Sequence, residues 1–314
     1  MKVLLHYGVG PVLARELAAL TAEHLEIESC SETDDERFYD LLPEAEVLWH
    51  VLRPVSQADI LKARRLRLIQ KIGVGVNTID LTAATQSGVA VCNMPGANSQ
   101  AVAEMTLLLI FACLRRLPIV DHATRAGRGW DLPVQLQDSY RELAGLTIGL
   151  VGYGSIPRIL APSLVALGAT VIYTATTAKP DAVGTYLPLP ELLRVADVIS
   201  LHVPLSSTTA GMIDREAFLL MRQGAVIINT ARGGLVDQEA LVEALRSGRV
   251  EAAGLDVFAT EPLNPDHPLL AMENVVVTPH VAWLTRTTWR RSIVIAAENC
   301  RRLASGDTLL HRVA

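Results

Sequence analysis

Residues 146–157 run Leu146-Thr147-Ile148-Gly149-Leu150-Val151-Gly152-Tyr153-Gly154-Ser155-Ile156-Pro157. The first six form an apolar run of the kind found in strands buried on both faces of a parallel sheet. Gly152 and Gly154 then turn the chain into an apolar-periodic segment, 156–167, that reads as a helix. A strand, a glycine turn and a helix start bring backbone N–H groups and the positive end of a helix dipole to one point. That point suits a pyrophosphate, with Gly152, Gly154, Ser155 and Ile156 as the candidate contacts. The dinucleotide fingerprint has a third glycine where this chain has Pro157. Proline is tolerated in a first helical turn, where its missing N–H has no intrahelical partner anyway. Taken alone, the pattern is shared with ordinary strand–turn–helix units.

Outward from that stretch the chain keeps alternating. Strands are expected at 146–151, 169–173, 198–202, 225–229, 252–256 and 275–278, the six of a Rossmann sheet. Upstream, strands at 3–7, 47–51, 68–72 and 89–92, and a weaker one near 25–28, are separated by helical patterns at 12–20, 57–63 and 82–87. This alternation predicts a second parallel sheet covered by helices. The breakers in 93–98 mark a crossing between domains. A long apolar helix over 101–117, a polar irregular piece over 127–142 and a last amphipathic helix over 287–303 complete the chain. The fold class is α/β, with two doubly wound parallel-sheet domains.

Composition bounds the function. A chain of 314 residues predicts about two domains. Half of the residues are hydrophobic and 19% charged, which describes a well-cored globular protein and excludes a disordered one. The net charge of −5 and the lack of a basic tract exclude a nucleic-acid partner. Cys30, Cys92, Cys113 and Cys300 are scattered without metal-ligand spacing, so they read as reduced thiols of a cytosolic protein, and no metal is expected. The opening MKVLLHYGVGP has too short an apolar run for a signal peptide, which again predicts a cytoplasmic location. In the 101–117 helix Glu104 interrupts the apolar face, and the uncharged run 105–114 is about half of a membrane span. No membrane partner is expected, and such a helix is buried in the protein or at a subunit interface.

The chemistry stands at strand ends in the second series. NTARGGLVD covers 229–237, GLDVF covers 254–258, TEP covers 260–262 and TPH covers 278–280. Carboxyl ends of strands line the ligand crevice of a doubly wound sheet, so Arg232, Asp256, Glu261 and His280 are expected to gather there. An arginine fork grips a carboxylate. A histidine exchanges the proton that accompanies hydride transfer, and a carboxylate behind it orients the ring and favours its charged form. Each residue also has a plainer reading: Arg232 as a helix cap, Glu261 as a solvated turn, His280 as a satisfied strand-end histidine. His202 reads as structural or as a minor cofactor contact. His6, His24, His50, His122, His267 and His311 have no supporting context.

These blocks, with KIGVGVNTID, CNMPGANSQAVAE and HVPLSSTTAGMI, resemble the signature blocks of the D-isomer-specific 2-hydroxyacid dehydrogenases, in order from about residue 68 to 284. The resemblance implies a Rossmann cofactor domain, 98–285, inserted into a flavodoxin-like substrate domain, 1–97 plus 286–314, with hinge closure at the two crossings. It implies that Arg232 binds the substrate carboxylate and carbonyl, Glu261 supports the histidine and His280 is the proton donor. Val74 and Gly75 would offer backbone N–H groups to the carboxylate. Asp256 would hold the nicotinamide carboxamide, with Thr230, Ala231 and Pro204 against the cofactor. Trp283 either walls the substrate pocket or simply packs. Members are usually dimers paired through the cofactor domain, which suits the apolar helix after Gln100.

NAD-specific members usually carry an acidic residue at the Thr174 position, and its absence removes the charge that repels a 2′-phosphate. Thr174, Thr176, Thr177 and Lys179 could receive that phosphate, so NADP is favoured over NAD. The sequence resembles the glyoxylate/hydroxypyruvate reductases of the family, although those carry arginines in this segment. Val74 stands where phosphite-oxidising members have lysine, and Glu261 where formate-oxidising members have glutamine. No regulatory domain of the long phosphoglycerate dehydrogenases is expected after residue 314. A small 2-keto or D-2-hydroxy acid is the expected partner, with glyoxylate and hydroxypyruvate leading. The alternative is a dinucleotide-sensing regulatory protein on the same fold, which the intact Arg232, Glu261 and His280 set disfavours. An S-adenosylmethionine or S-adenosylhomocysteine enzyme would need no hydride-handling triad.

Overall fold

A computed structural model describes residues 1–20 and 24–314. The chain forms two compact units, 1–98 with 284–314, and 99–283.

In the first unit the strands are β1 (Lys2–His6), β2 (Glu26–Cys30), β3 (Val47–His50), β4 (Leu68–Lys71) and β5 (Ala90–Cys92). The helices between them are α1 (Pro11–Ala19), α2 (Asp35–Leu41), α3 (Gln57–Lys62) and α4 (Leu81–Gln86). All strands pair in parallel in the order β2-β1-β3-β4-β5, which is the flavodoxin-like order. Every residue of β3 and β4 is buried, so both read as unbroken runs rather than as alternation. Helix α3 starts where the sequence placed it, on a capping box between Ser56 and Asp59. Helix α2 was not legible, because Phe38 is its one buried residue and an apolar period cannot be built from one position. Its start is set instead by Asp34, whose side chain accepts the Arg37 N–H.

The second unit begins with α5 (Ser99–Leu114) and α6 (Leu117–Arg125). It continues as β6 (Thr147–Val151), α7 (Ser155–Ala166), β7 (Thr170–Thr174), β8 (Thr185–Tyr186), α8 (Leu189–Val195) and β9 (Val198–Leu201). Then come α9 (Arg215–Leu220), β10 (Ala225–Asn229), α10 (Gln238–Arg246), β11 (Val250–Leu255) and β12 (Val275–Val277). The sheet order is β12-β11-β10-β9-β6-β7-β8, all parallel. Counted from β6 this is 3-2-1-4-5-6 with a seventh strand added at the far edge, so the sheet is the Rossmann sheet. It has seven strands where six were expected. The unforeseen β8 has two residues, too few to show a period.

Helix α5 packs Leu109, Ile110 and Cys113 on Ile148, Val226 and Ile228. It is not buried all round, since Glu104 is exposed and Leu108 is 53% exposed. It also stops at Leu114 instead of running to 117. Arg116 takes a left-handed φ of 51°, its guanidinium held by Glu251 at 2.6 Å, and α6 starts anew behind it. Among the described residues no helix is long and apolar enough to cross a membrane. The chain then returns to the first unit with α11 (Arg286–Ser305), where Asn299 donates to Gln70 of β4 at 2.6 Å.

Candidate active site

The glycine turn after β6 is shaped by close approach. Gly152 has φ 101°, and a Cβ on it would meet the His202 carbonyl oxygen at 2.7 Å. No side chain is therefore admitted where β6 passes β9. Beyond it, a Cβ on Gly154 would meet nothing within 4 Å, so the space in front of α7 is open. Helix α7 has no side-chain cap, and Gly154 and Ser155 are exposed. Its first-turn N–H groups thus face that space, except at Pro157, which is buried in the first turn and has no N–H to offer. Open space, uncapped donors and a helix dipole fit a dinucleotide pyrophosphate.

Arg232 leaves the end of β10 on a turn that Asn229 builds. The buried Asn229 side chain accepts the Ala231 N–H at 3.0 Å and donates to the Arg232 carbonyl at 2.9 Å. The Arg232 guanidinium donates to the Ala231 carbonyl at 2.6 Å. Burial lowers its pKa and the nearby Glu261 carboxylate partly restores it, which places these two side chains in one electrostatic environment. The next residue locks the turn to the loop after β11. A Cβ on Gly233 would lie 1.8 Å from the Phe258 carbonyl carbon and 2.0 Å from its oxygen.

Asp256, 1% exposed at the end of β11, organises the loop that carries His280. Its Oδ1 accepts the Thr278 hydroxyl at 2.6 Å and the Val281 N–H at 2.9 Å, and its Oδ2 accepts the Ala282 N–H at 2.9 Å. Its backbone carbonyl accepts the His280 N–H at 2.7 Å. Burial raises the carboxyl pKa against these donors. The loop needs such anchoring because His280 adopts a left-handed φ of 56°, a conformation that costs a non-glycine residue about 1 kcal/mol. Asp256 thus has a structural task that its place at a strand end did not reveal.

His280 Nδ1 pairs with Glu261 Oε2 at 2.7 Å, leaving Nε2 as the other proton site of the ring. Glu261 also accepts the Phe258 N–H at 2.8 Å through Oε1. Burial pushes its carboxyl up, but the His280 bond and charge, the Phe258 N–H and Arg232 outweigh it and hold the pKa below the usual carboxylate range. Glu261 therefore stays ionised beside the ring.

The remaining expected residues divide. The Thr230 hydroxyl is engaged by Thr106 of α5 at 2.9 Å, so its side chain serves packing. Ala231 lies in the Asn229 turn, and Pro204 accepts the Thr209 hydroxyl at 2.7 Å. Thr174 ends β7 with its side chain half-buried. Trp283 is 7% exposed and donates its indole N–H to the His280 carbonyl at 3.1 Å, which ties its ring to the histidine turn. In the first unit Val74 is exposed, and Asn93 fixes its carbonyl at 2.9 Å. Gly75 is half-buried in the same loop. His202 Nε2 lies 2.9 Å from the Ser200 hydroxyl, and burial pushes its pKa down to about 3. It is a neutral structural histidine at ordinary pH. Sequence reasoning missed Asn229 and also Gln238, whose side chain accepts the Ala259 N–H. An asparagine closing a buried strand before a small-residue turn was the available signal.

Residues 107–282 match the family model described as D-isomer specific 2-hydroxyacid dehydrogenase, NAD binding domain. The chain belongs to the D-isomer-specific 2-hydroxyacid dehydrogenases. It is 40% identical over 273 residues to a glyoxylate reductase of Aeropyrum pernix, covering 84% of this chain and 81% of that one. It is 37% identical to a hydroxypyruvate reductase of Thermotoga maritima, covering 89% of each. Among solved structures, the TT0316 protein of Thermus thermophilus matches over the whole of both chains at 37% identity, with a TM-score of 0.90. As a member of this family the protein is an NAD(P)-dependent oxidoreductase of 2-hydroxy acids, with a Rossmann cofactor-binding domain.

Proposed function

We propose that this dehydrogenase reduces a small 2-keto acid, glyoxylate or hydroxypyruvate, to the D-2-hydroxy acid, with NADPH favoured over NADH. The observation that carries the reading is the His280–Glu261 pair at 2.7 Å in the same environment as Arg232. A dihydronicotinamide, when bound, supplies the hydride to the keto carbon. The chain supplies the rest. Arg232 grips the carboxylate and polarises the carbonyl with its fork, and the Val74 and Gly75 amides add N–H groups to the carboxylate. His280 gives the Nε2 proton to the carbonyl oxygen as charge develops there. Glu261 keeps Nδ1 occupied and offsets the imidazolium charge. Asp256 holds the histidine turn and keeps one Oδ2 lone pair for the nicotinamide carboxamide. Thr230, Ala231 and Pro204 line the cofactor with backbone.

In this reading the unit 99–283 is the cofactor domain, and 1–98 with 284–314 is the substrate domain. The enzyme works in the cytoplasm as a homodimer paired through the cofactor domain, on the exposed side of α5. Steady-state assays with both keto acids and both reduced cofactors test the proposal. Turnover preferring NADPH supports it. Turnover preferring NADH removes the cofactor assignment and leaves the reaction. Measurable cofactor binding without turnover on either acid removes the substrate assignment.

A further inference from the structure

The loop between β7 and β8 is held in a way that the reaction does not call for. Two phenols each bond both backbone groups of a single loop residue, as a strand neighbour would. Tyr153 Oη accepts the Val183 N–H at 2.7 Å and donates to the Val183 carbonyl at 3.1 Å. Tyr173 Oη accepts the Lys179 N–H at 2.7 Å and donates to the Lys179 carbonyl at 3.2 Å. Both rings are buried, at 6% and 2% exposure, and they pack together with centroids 4.4 Å apart. Tyr186 of β8 extends the stack at 5.7 Å from Tyr173. A six-residue excursion from Tyr173 to Lys179 is thereby fixed at its far end to the strand it left.

The pinned segment is polar and its charge is arranged. Lys179 Nζ lies 3.3 Å from the Thr177 hydroxyl. The one acid of the loop, Asp181, is neutralised by Arg158 of α7 through a two-pronged pair, with Nη2 to Oδ1 at 3.1 Å. The loop thus presents an ammonium and hydroxyls without a free carboxylate, beyond the strand end where a Rossmann domain receives the adenosine ribose.

We propose that Tyr173, seconded by Tyr153, is a positioning residue for cofactor choice. Its phenol fixes the Lys179 backbone so that the ammonium and the Thr177 and Thr174 hydroxyls form the seat for a 2′-phosphate. This rests on the NADPH reading above and adds the device that makes a single lysine sufficient. A flexible lysine loses rotamer and backbone freedom on gripping a phosphate, and pinning removes the backbone share of that loss.

The test is calorimetric binding of 2′,5′-ADP and 5′-ADP to the cofactor-free protein, with no turnover involved. Wild type is expected to prefer 2′,5′-ADP by about tenfold, the value of one charge-assisted contact. Lys179→Ala, at a half-buried position of the loop, is expected to erase that preference and its salt dependence while 5′-ADP binding stays within about twofold. Tyr173→Phe keeps the ring stack and removes only the phenol. It is expected to cut the preference by about threefold or more while 5′-ADP binding stays within about twofold. Wild type without a preference overturns both the NADPH reading and this proposal. Wild type with a preference that Tyr173→Phe leaves intact, even with a lowered Tm, overturns the positioning role alone.

Discussion

In the seven-stranded sheet the carboxyl ends of β10, β11 and β12 carry Asn229, Asp256 and the His280 turn, and each polar group meets a partner within 3.0 Å. In the five-stranded sheet the corresponding ends carry a row across four strands, Cys30, His6, His50 and Lys71 in register. There, among the described residues, both His6 nitrogens and His50 Nδ1 are buried without a hydrogen-bond partner. His6 instead stacks on Phe38 with centroids 4.0 Å apart. Burial, helped by the Arg53 charge, pushes its pKa down to about 4, and burial beside Lys71 holds His50 well below the ordinary range. Both sheets put histidines at strand ends. A carboxylate partner and access to solvent equip one for proton exchange; burial among aromatic and cationic groups keeps the others neutral.

The comparison breaks most sharply at His280. His280→Ala is expected to lower kcat/KM for the best keto acid by about 10²–10⁴, and a loss within about threefold in steady-state assays would sink the proton-donor role. Glu261→Gln comes next. It keeps a hydrogen bond to the ring but removes the charge, and kcat/KM is expected to fall by about 10–100-fold. Because the Glu261 pKa lies below its ordinary value, its carboxylate charge is fully present above the usual carboxylate range. It is lost only as pH falls through the lowered value, so wild-type activity should show no Glu261 step at or above pH ~4.5.

Asp256→Asn keeps the shape of the clamp but replaces an acceptor oxygen with an NH₂ facing backbone N–H groups. A loss of about 1–3 kcal/mol in urea-unfolding stability is expected, with a lower kcat as the His280 turn loosens. An unchanged midpoint would assign the turn's geometry to the backbone bonds alone.

The smallest effect belongs to the other sheet. An unfolded chain binds a proton at His6 near pH 6.5, whereas the folded chain does so only near 4. Stability is therefore greatest above 6.5 and falls as pH drops from 6.5 toward 4, by up to ~1.4 kcal/mol per pH unit from this residue. His6→Leu should flatten that slope in urea titrations at pH 5 and 7. An equal slope in the variant would show that His6 is already protonated in the fold.

The sequence carried most of this architecture because buried parallel strands are apolar throughout, and because a glycine turn between a strand and a helix marks the first crossover of a Rossmann sheet. It also carried Arg232, Glu261 and His280, since strand ends converge in a doubly wound sheet. It did not carry what depends on partners far away in the chain. The three donors that Asp256 accepts lie more than twenty residues downstream. The break at Arg116 is held by Glu251, and β8 exists only because Tyr173 and Ile172 offer it an edge. The phenol bonds to Val183 and Lys179 have no periodic signature, because a tyrosine in a buried strand is most simply a core residue.

The missing side chain at Gly233 has a consequence for how such an enzyme can change. With the Phe258 carbonyl occupying the place of a Cβ, the Arg232 turn and the segment leading to Glu261 move as one piece. Drift in substrate range that required the arginine to shift would drag the histidine's carboxylate with it. Within this unit the anchor and the proton relay are inherited together, and new specificities are more readily reached by altering residues that do not belong to that frame.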